Sequence, residues 1–136
     1  MMERIYKIKE LFSRMQNAKK YNFFELKPTD LQEYLCVVYA ITNFNTNETL
    51  YVGKTTNLRR RLYTNHLMGN ITTARLKKYL IEDAEITSVF DLPTAKQYIK
   101  DNCHFQYIEE PDTRKRGQLE GLFSYLLDVR YVDKEH

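Results

Sequence analysis

The 136-residue chain has no tryptophan, only three prolines and four glycines, and two cysteines. So little proline and glycine leaves little room for a linker. Cys36 and Cys103 lie far apart with no CxxC pairing, and the charged opening MMERIYKIKE lacks the apolar core of a secretory signal. Both point to reduced thiols in a cytoplasmic setting. No apolar run approaches the roughly 20 residues needed to cross a bilayer, which argues against an integral membrane role. Acids, too, are missing from one long stretch. Between Lys54 and Lys78 stand Lys54, Arg59, Arg60, Arg61, Arg75, Lys77 and Lys78 with no Asp or Glu among them.

Hydrophobic residues at 43% and charged residues at 29% describe a globular chain, and its length suits one domain with one real core. The net charge of +3 is small, but it is segregated. Acids gather at Glu82, Asp83, Glu85 and Asp91 and again at Glu109, Glu110 and Asp112. A positive face of this kind attracts phosphate polymers by neutralisation and counterion release, so nucleic acid is the expected partner. An anionic membrane is not: the basic stretch lacks the broad apolar face that interfacial helices bury.

Ile5, Ile8, Leu11, Phe12 and Met15 form one apolar helical stripe in residues 3–19. Pro28, Thr29 and Asp30 supply a turn and a cap before Leu31, Tyr34 and Leu35. CVVYAIT (36–42), an Asn/Thr-rich turn and LYV (50–52) ended by Gly53 read as a β-hairpin, with Val37, Tyr39 and Ile41 on one face and Leu50 opposed to Tyr51. Thr55, Thr56 and Asn57 offer caps for a helix anchored by Leu58 and Leu62, with Gly53 permitting a close strand-to-helix turn. A second basic helix is predicted from Thr72 or Thr73 to Glu82, a strand at EITSVF (85–90), a helix from Pro93 to Asn102, a strand at HFQYI (104–108) and a last helix over QLEGLFSYLLDV. In that helix Glu120 and Gly121 interrupt the stripe of Leu119, Leu122, Phe123 and Leu126.

Val37-Val38-Tyr39, then Tyr51-Val52-Gly53 after an eleven-residue gap, then Arg61 in GKTTNLRRRL, then Glu120 in a late helix, together resemble the GIY-YIG nuclease domain over about residues 36–128. The resemblance implies an α+β fold: a small three-stranded antiparallel sheet flanked by helices. Residues 1–35 would be a helical extension and 36–136 the nuclease-like domain, with a helical insertion near 68–102. It also implies a metal-dependent endonuclease acting on DNA, RNA being open, with Mg²⁺ or alternatively Mn²⁺ held by Glu120. One small site would cut one strand and leave a 5′ phosphate; a double-strand break would need two protomers.

Phosphodiester hydrolysis requires an activated water, neutralisation of the charge that builds on phosphorus, and help for the departing 3′ oxygen. Arg61 suits the second task as a permanently charged fork. Glu120 suits the third by hard oxygen ligation of a metal that keeps most of its waters. The first falls to a tyrosine, whose unperturbed pKa of about 10 needs neighbouring positive charge from Lys54, Arg61 and the metal. Tyr39 is the first choice for the base and Tyr51 for orienting water or phosphate, with the roles exchangeable. Lys54, Arg59, Arg60, Arg75, Lys77 and Lys78 are candidate nucleic-acid contacts, and Lys54 a candidate support for either tyrosine.

Each residue has a plainer reading: core aromatics for the tyrosines, solvated helix positions for the basic run. A fold that kept its basic face but lost turnover, a nucleic-acid-binding module, is the competing function. Three departures from the family pattern bear on this. Val37 stands where the name motif has its first glycine. Many relatives have a histidine four residues after the arginine, where this chain has Asn65; His66, a candidate catalytic residue, follows one step later, which on an α-helix turns the side chain by about 100°. The asparagine that relatives carry soon after the glutamate helix is absent, leaving Asp128 or Asp133 to substitute. His104, in a strand, reads as structural.

Overall fold

In the computed structural model, which describes residues 1–132, the β-branched and aromatic run VVYAITN forms β2 (Val37–Asn43), every residue of it buried. Asn43 accepts hydrogen bonds from the Asn45 and Thr46 amides, and Asn47 takes a left-handed φ of 62° that asparagine tolerates. That turn delivers the chain into β3 (Glu48–Thr55), antiparallel to β2. The register shifts between Ile41 and Thr42, so that Leu50 is the extra residue of a β-bulge. Leu50 and Tyr51 consequently enter the same apolar cluster. Strict alternation, which set them on opposite faces, is broken there.

On its other side β2 pairs with β4 (Cys103–Glu109), and β4 pairs with β1 (Tyr21–Asn22), giving the order β1-β4-β2-β3. The sheet therefore has four strands where three were expected. Two residues are too few to show a period, and β1 exists through its tertiary partners: Tyr21 stacks on Phe105 at 5.2 Å.

Alternation along β2 divides the interior. Val37, Tyr39 and Ile41 join Leu62 and Leu67 of a π-helix (Arg60–Leu67), Leu76 and Leu80 of α2 (Arg75–Glu82), and Ala95 and Ile99 of α3 (Leu92–Asn102). Val38 and Ala40 face the other way, toward Met15 of α1 (Met2–Asn17) and Leu119 and Phe123 of α4 (Thr113–Leu126). Only the C-terminal half of the α1 stripe is used, since Ile5 and Ile8 remain exposed. The Gln106 amide lies 2.9–3.0 Å from the Met15, Gln16 and Ala18 carbonyls, satisfying the end of α1 that helix geometry leaves unpaired.

Several boundaries move for local reasons. Asp112 caps α4 by accepting from the Arg114 and Lys115 amides, so the last helix begins five residues before Gln118. Asn70 holds Thr72 and Thr73 in a turn and delays α2 to Arg75. The predicted strand at 85–90 is a series of turns, with the Ile86 amide donating to Asp83 and that of Val89 to Ile86. Pro28–Asp30 is one 3₁₀ turn. Among the described residues no helix is long and apolar enough to cross a membrane.

Candidate active site

Tyr39 pairs with Gly53 across the hairpin, and Tyr51 pairs with Ile41, so both phenols rise from the face that the π-helix covers. Their rings stack at 6.2 Å. A Cβ built on Gly53 would lie 2.5 Å from Tyr39 Cζ and closer still to its hydroxyl. Gly53 has no positive φ. Its role is to leave the space that the Tyr39 ring occupies, not to permit the turn assigned to it from sequence.

The helix after β3 starts as the sequence implies, with Asn57 accepting from the Arg60 amide. It then departs from α geometry. Residues 60–67 hydrogen-bond five positions back, as in the Met68 amide to the Tyr63 carbonyl at 3.0 Å. This wider turn changes the sequence arithmetic: a residue five positions after Arg61 returns to the arginine's side of the helix, so the one-step displacement of the histidine is absorbed. His66 is fully buried, with its Nε2 2.7 Å from the Tyr39 hydroxyl and its ring 5.0 Å from that of Tyr51.

Burial, then the charges of Arg61 and Lys77, push the His66 pKa down to about 3. The ring is neutral at physiological pH. His66 Nδ1 is buried with no partner. An unpaired N–H is harder to bury than an unpaired lone pair, which favours the tautomer with its proton on Nε2, donating to Tyr39. Tyr39 itself is 1% exposed and does not open onto solvent.

Tyr51 does. Because β3 is an edge strand, α4 on one face and the tyrosine face on the other meet around its rim. There Tyr51, Val52, Glu120, Gly121, Ser124, Val129, Tyr131 and Val132 line a cleft of about 180 Å³. Glu120 is half-buried, and its backbone carbonyl accepts from the Ser124 hydroxyl. Lys54 approaches from the α4 side: a Cβ on Gly117, one turn before Glu120, would lie 3.4 Å from its ammonium. Arg61 is half-buried and near enough to His66 to depress its pKa.

The basic candidates divide. Lys54, Arg60, Arg75 and Lys78 are exposed. Arg59 instead donates to the Leu31 carbonyl at 2.8 Å and pairs with Glu33 at 3.1 Å, tying the π-helix to the segment before β2. Lys77 is 2% exposed, and its ammonium donates to the Gly69 carbonyl at 2.9 Å. Burial, followed by Lys96, lowers its pKa to about 8. Neither sits as the exposed phosphate contact expected of it. His104 stacks on Phe44 at 6.0 Å, away from the cleft lining.

Of the two acids proposed to replace the absent asparagine, Asp128 is exposed, at a φ of 49° in the turn that ends α4, and Asp133 lies outside the described residues. Sequence reasoning missed Tyr79 and Tyr131, whose rings stack at 5.1 Å beside Tyr51. Nothing in their spacing marks them out among 11 tyrosines. In comparisons with known proteins, the family model described as the GIY-YIG catalytic domain matches residues 35–123. No curated protein and no solved structure matches the chain.

Proposed function

Because this chain belongs to the GIY-YIG catalytic-domain family, a family of nucleases, we propose that it is a divalent-metal-dependent endonuclease that hydrolyses phosphodiester bonds in DNA. The observation that carries the proposal is the cleft at the β3 rim, which joins Tyr51 to Glu120 although 68 residues separate them in sequence.

The donor set fits Mg²⁺ or Mn²⁺. Glu120 brings a carboxylate to an open cleft, and among the described residues no group of three or more His, Cys, Asp or Glu forms a protein cage. One hard oxygen ligand, with water and substrate phosphate completing the shell, is a familiar arrangement for such an ion. Bound there, the metal would neutralise charge at the scissile phosphate and favour departure of the 3′ oxygen.

The protein's own groups divide the remaining work. Tyr51 faces the cleft, so the base is assigned to it and not to Tyr39; acting as phenolate, it takes the proton of the attacking water. The water oxygen bonds to phosphorus as the bond to the 3′ oxygen breaks, giving a 5′ phosphate and, once the departing oxygen takes a proton from solvent water, a 3′ hydroxyl. Tyr39 and neutral His66 support Tyr51 from behind. Arg61 meets the charge on phosphorus, and Lys54, Arg60, Arg75 and Lys78 track the backbone.

Nicking of supercoiled plasmid in Mg²⁺ tests the reading, with Arg61→Ala and Glu120→Ala alongside wild type. Wild type nicks, and both variants lose turnover while still binding DNA. Binding without nicking by wild type would leave a binding module, and nicking that survives both substitutions would remove the site.

A further inference from the structure

We propose that Tyr131 is a positioning residue for this cleft, holding the Tyr51 ring in place through Tyr79. The inference rests on the nuclease reading above, and Tyr131 itself lies beyond the family match, which ends at 123.

After α4 the chain turns back along the open rim of β3. The Arg130 and Tyr131 amides donate to the Thr49 and Leu50 carbonyls at 3.0 and 3.1 Å, the two positions directly before Tyr51. An uncovered edge strand would leave these groups unpaired. The backbone alone accomplishes this sealing, and it does not explain what the side chain does. The Tyr131 ring lies flat against Tyr79, 5.1 Å between centroids and 2° between planes, and Tyr79 meets Tyr51 at 6.4 Å. Tyr51 in turn contacts His66 at 5.0 Å. A continuous row of rings therefore runs from the buried histidine, past the proposed base, to Tyr131.

The outer end of that row is anchored. The Tyr131 hydroxyl donates to Asp83 Oδ2 at 2.7 Å, and Arg130 binds the same carboxylate at 2.8 Å while also reaching Glu85 at 3.1 Å and Glu48 at 3.4 Å. Asp83 ends α2, Glu48 begins β3 and Arg130 follows α4, so one ion network ties α2 to the strand and the post-α4 segment that line the cleft. The ring of Tyr131 is pinned by stacking on one side and by its hydroxyl on the other. A base displaced by about 1 Å loses on the order of 10²-fold in rate, so a modest loosening of Tyr51 is measurable in turnover.

The test compares wild type, Tyr131→Phe and Tyr131→Ala. Phenylalanine keeps the stack and loses the Asp83 bond; alanine loses both. Plasmid nicking in Mg²⁺ should show kcat for Tyr131→Ala down about tenfold with KM within about twofold, and Tyr131→Phe within about threefold of wild type. In protein carrying ¹³C-labelled tyrosine, the Tyr51 ring resonances should move in Tyr131→Ala and stay in place in Tyr131→Phe. If wild type does not nick, the nuclease reading fails, and the Tyr51 resonances alone decide the positioning role. Wild-type kcat and unmoved Tyr51 resonances in Tyr131→Ala would overturn it. So would a kcat loss that matches, point for point, a loss of folded protein, since that is what edge sealing alone produces.

Discussion

Behind β3, Tyr39 and His66 are closed off from solvent at 1% and 0% exposure; at its rim, Tyr51, 8% exposed, and the half-buried Glu120 line a surface cleft. The two regions meet through the Tyr51 ring, which contacts those of both His66 and Tyr39. Their physical demands are opposite. A neutral imidazole is kept neutral by removing water, and a carboxylate that must stay charged cannot bear that treatment without a partner. The fold separates them by placing the dry half under the π-helix and the wet half on an edge strand, so that stability rests on one and the proposed chemistry on the other.

The largest effect that would test this contrast is on turnover alone. Glu120→Gln keeps the shape and removes the charge; we expect plasmid nicking to fall on the order of 10²–10³-fold with the melting temperature nearly unchanged. A large fall in melting temperature would place Glu120 in the dry half after all.

His66→Ala should behave differently, losing both. It opens a cavity and strips the buried Tyr39 hydroxyl of its 2.7 Å partner, which we expect to cost about 3 kcal/mol in denaturant unfolding. The pH dependence has a definite sign. With a folded pKa of about 3 against about 6.5 unfolded, the unfolded chain binds the extra proton between those values. The His66 contribution is fully present above about pH 6.5 and is lost as pH falls toward 3. Carboxylates titrate in the same window, so the quantity to measure is the slope of wild type minus that of His66→Ala; equal slopes would contradict a buried neutral ring.

Gly53→Ala is expected to cost less, about 2 kcal/mol, because its methyl must enter the space of the Tyr39 ring, 2.5 Å from Cζ. The effect should shrink in a Tyr39→Leu background, which vacates that space, and full additivity of the two changes would show that the glycine serves something else.

How much of this was legible beforehand follows the same division. The hairpin, the helix cap at Asn57 and the helix from Pro93 to Asn102 announced themselves through local composition, and the pairing of distant Tyr51 with Glu120 through a spaced motif. The dry half was less readable. A π-turn has no propensity signature that separates it from an α-helix, so His66 looked misplaced by one residue until the hydrogen bonds ran five positions back. Lys77 sat in an acid-free stretch and looked like a surface cation, but its position beside Leu76 on α2 carries it inward, where the Gly69 carbonyl receives it. The strand β1 and the stacking of Tyr79 on Tyr131 are tertiary facts, set by what lies opposite and not by what lies next in the chain.

The smallest expected change sharpens the reason for the neutral histidine. Three influences lower the His66 pKa, in the order burial, Arg61 and Lys77. If exclusion of water dominates, removing the weakest cation relieves little. In Lys77→Met, an NMR titration of the His66 ring should show its pKa rise from about 3, since a neighbouring positive charge no longer opposes protonation, yet remain well below the ordinary histidine value. Arg61→Ala should raise it further, and still not restore it. A return to the ordinary range in either variant would mean that charge, not dryness, keeps the imidazole neutral, and the separation of the site into a dry half and a wet half would lose its physical basis.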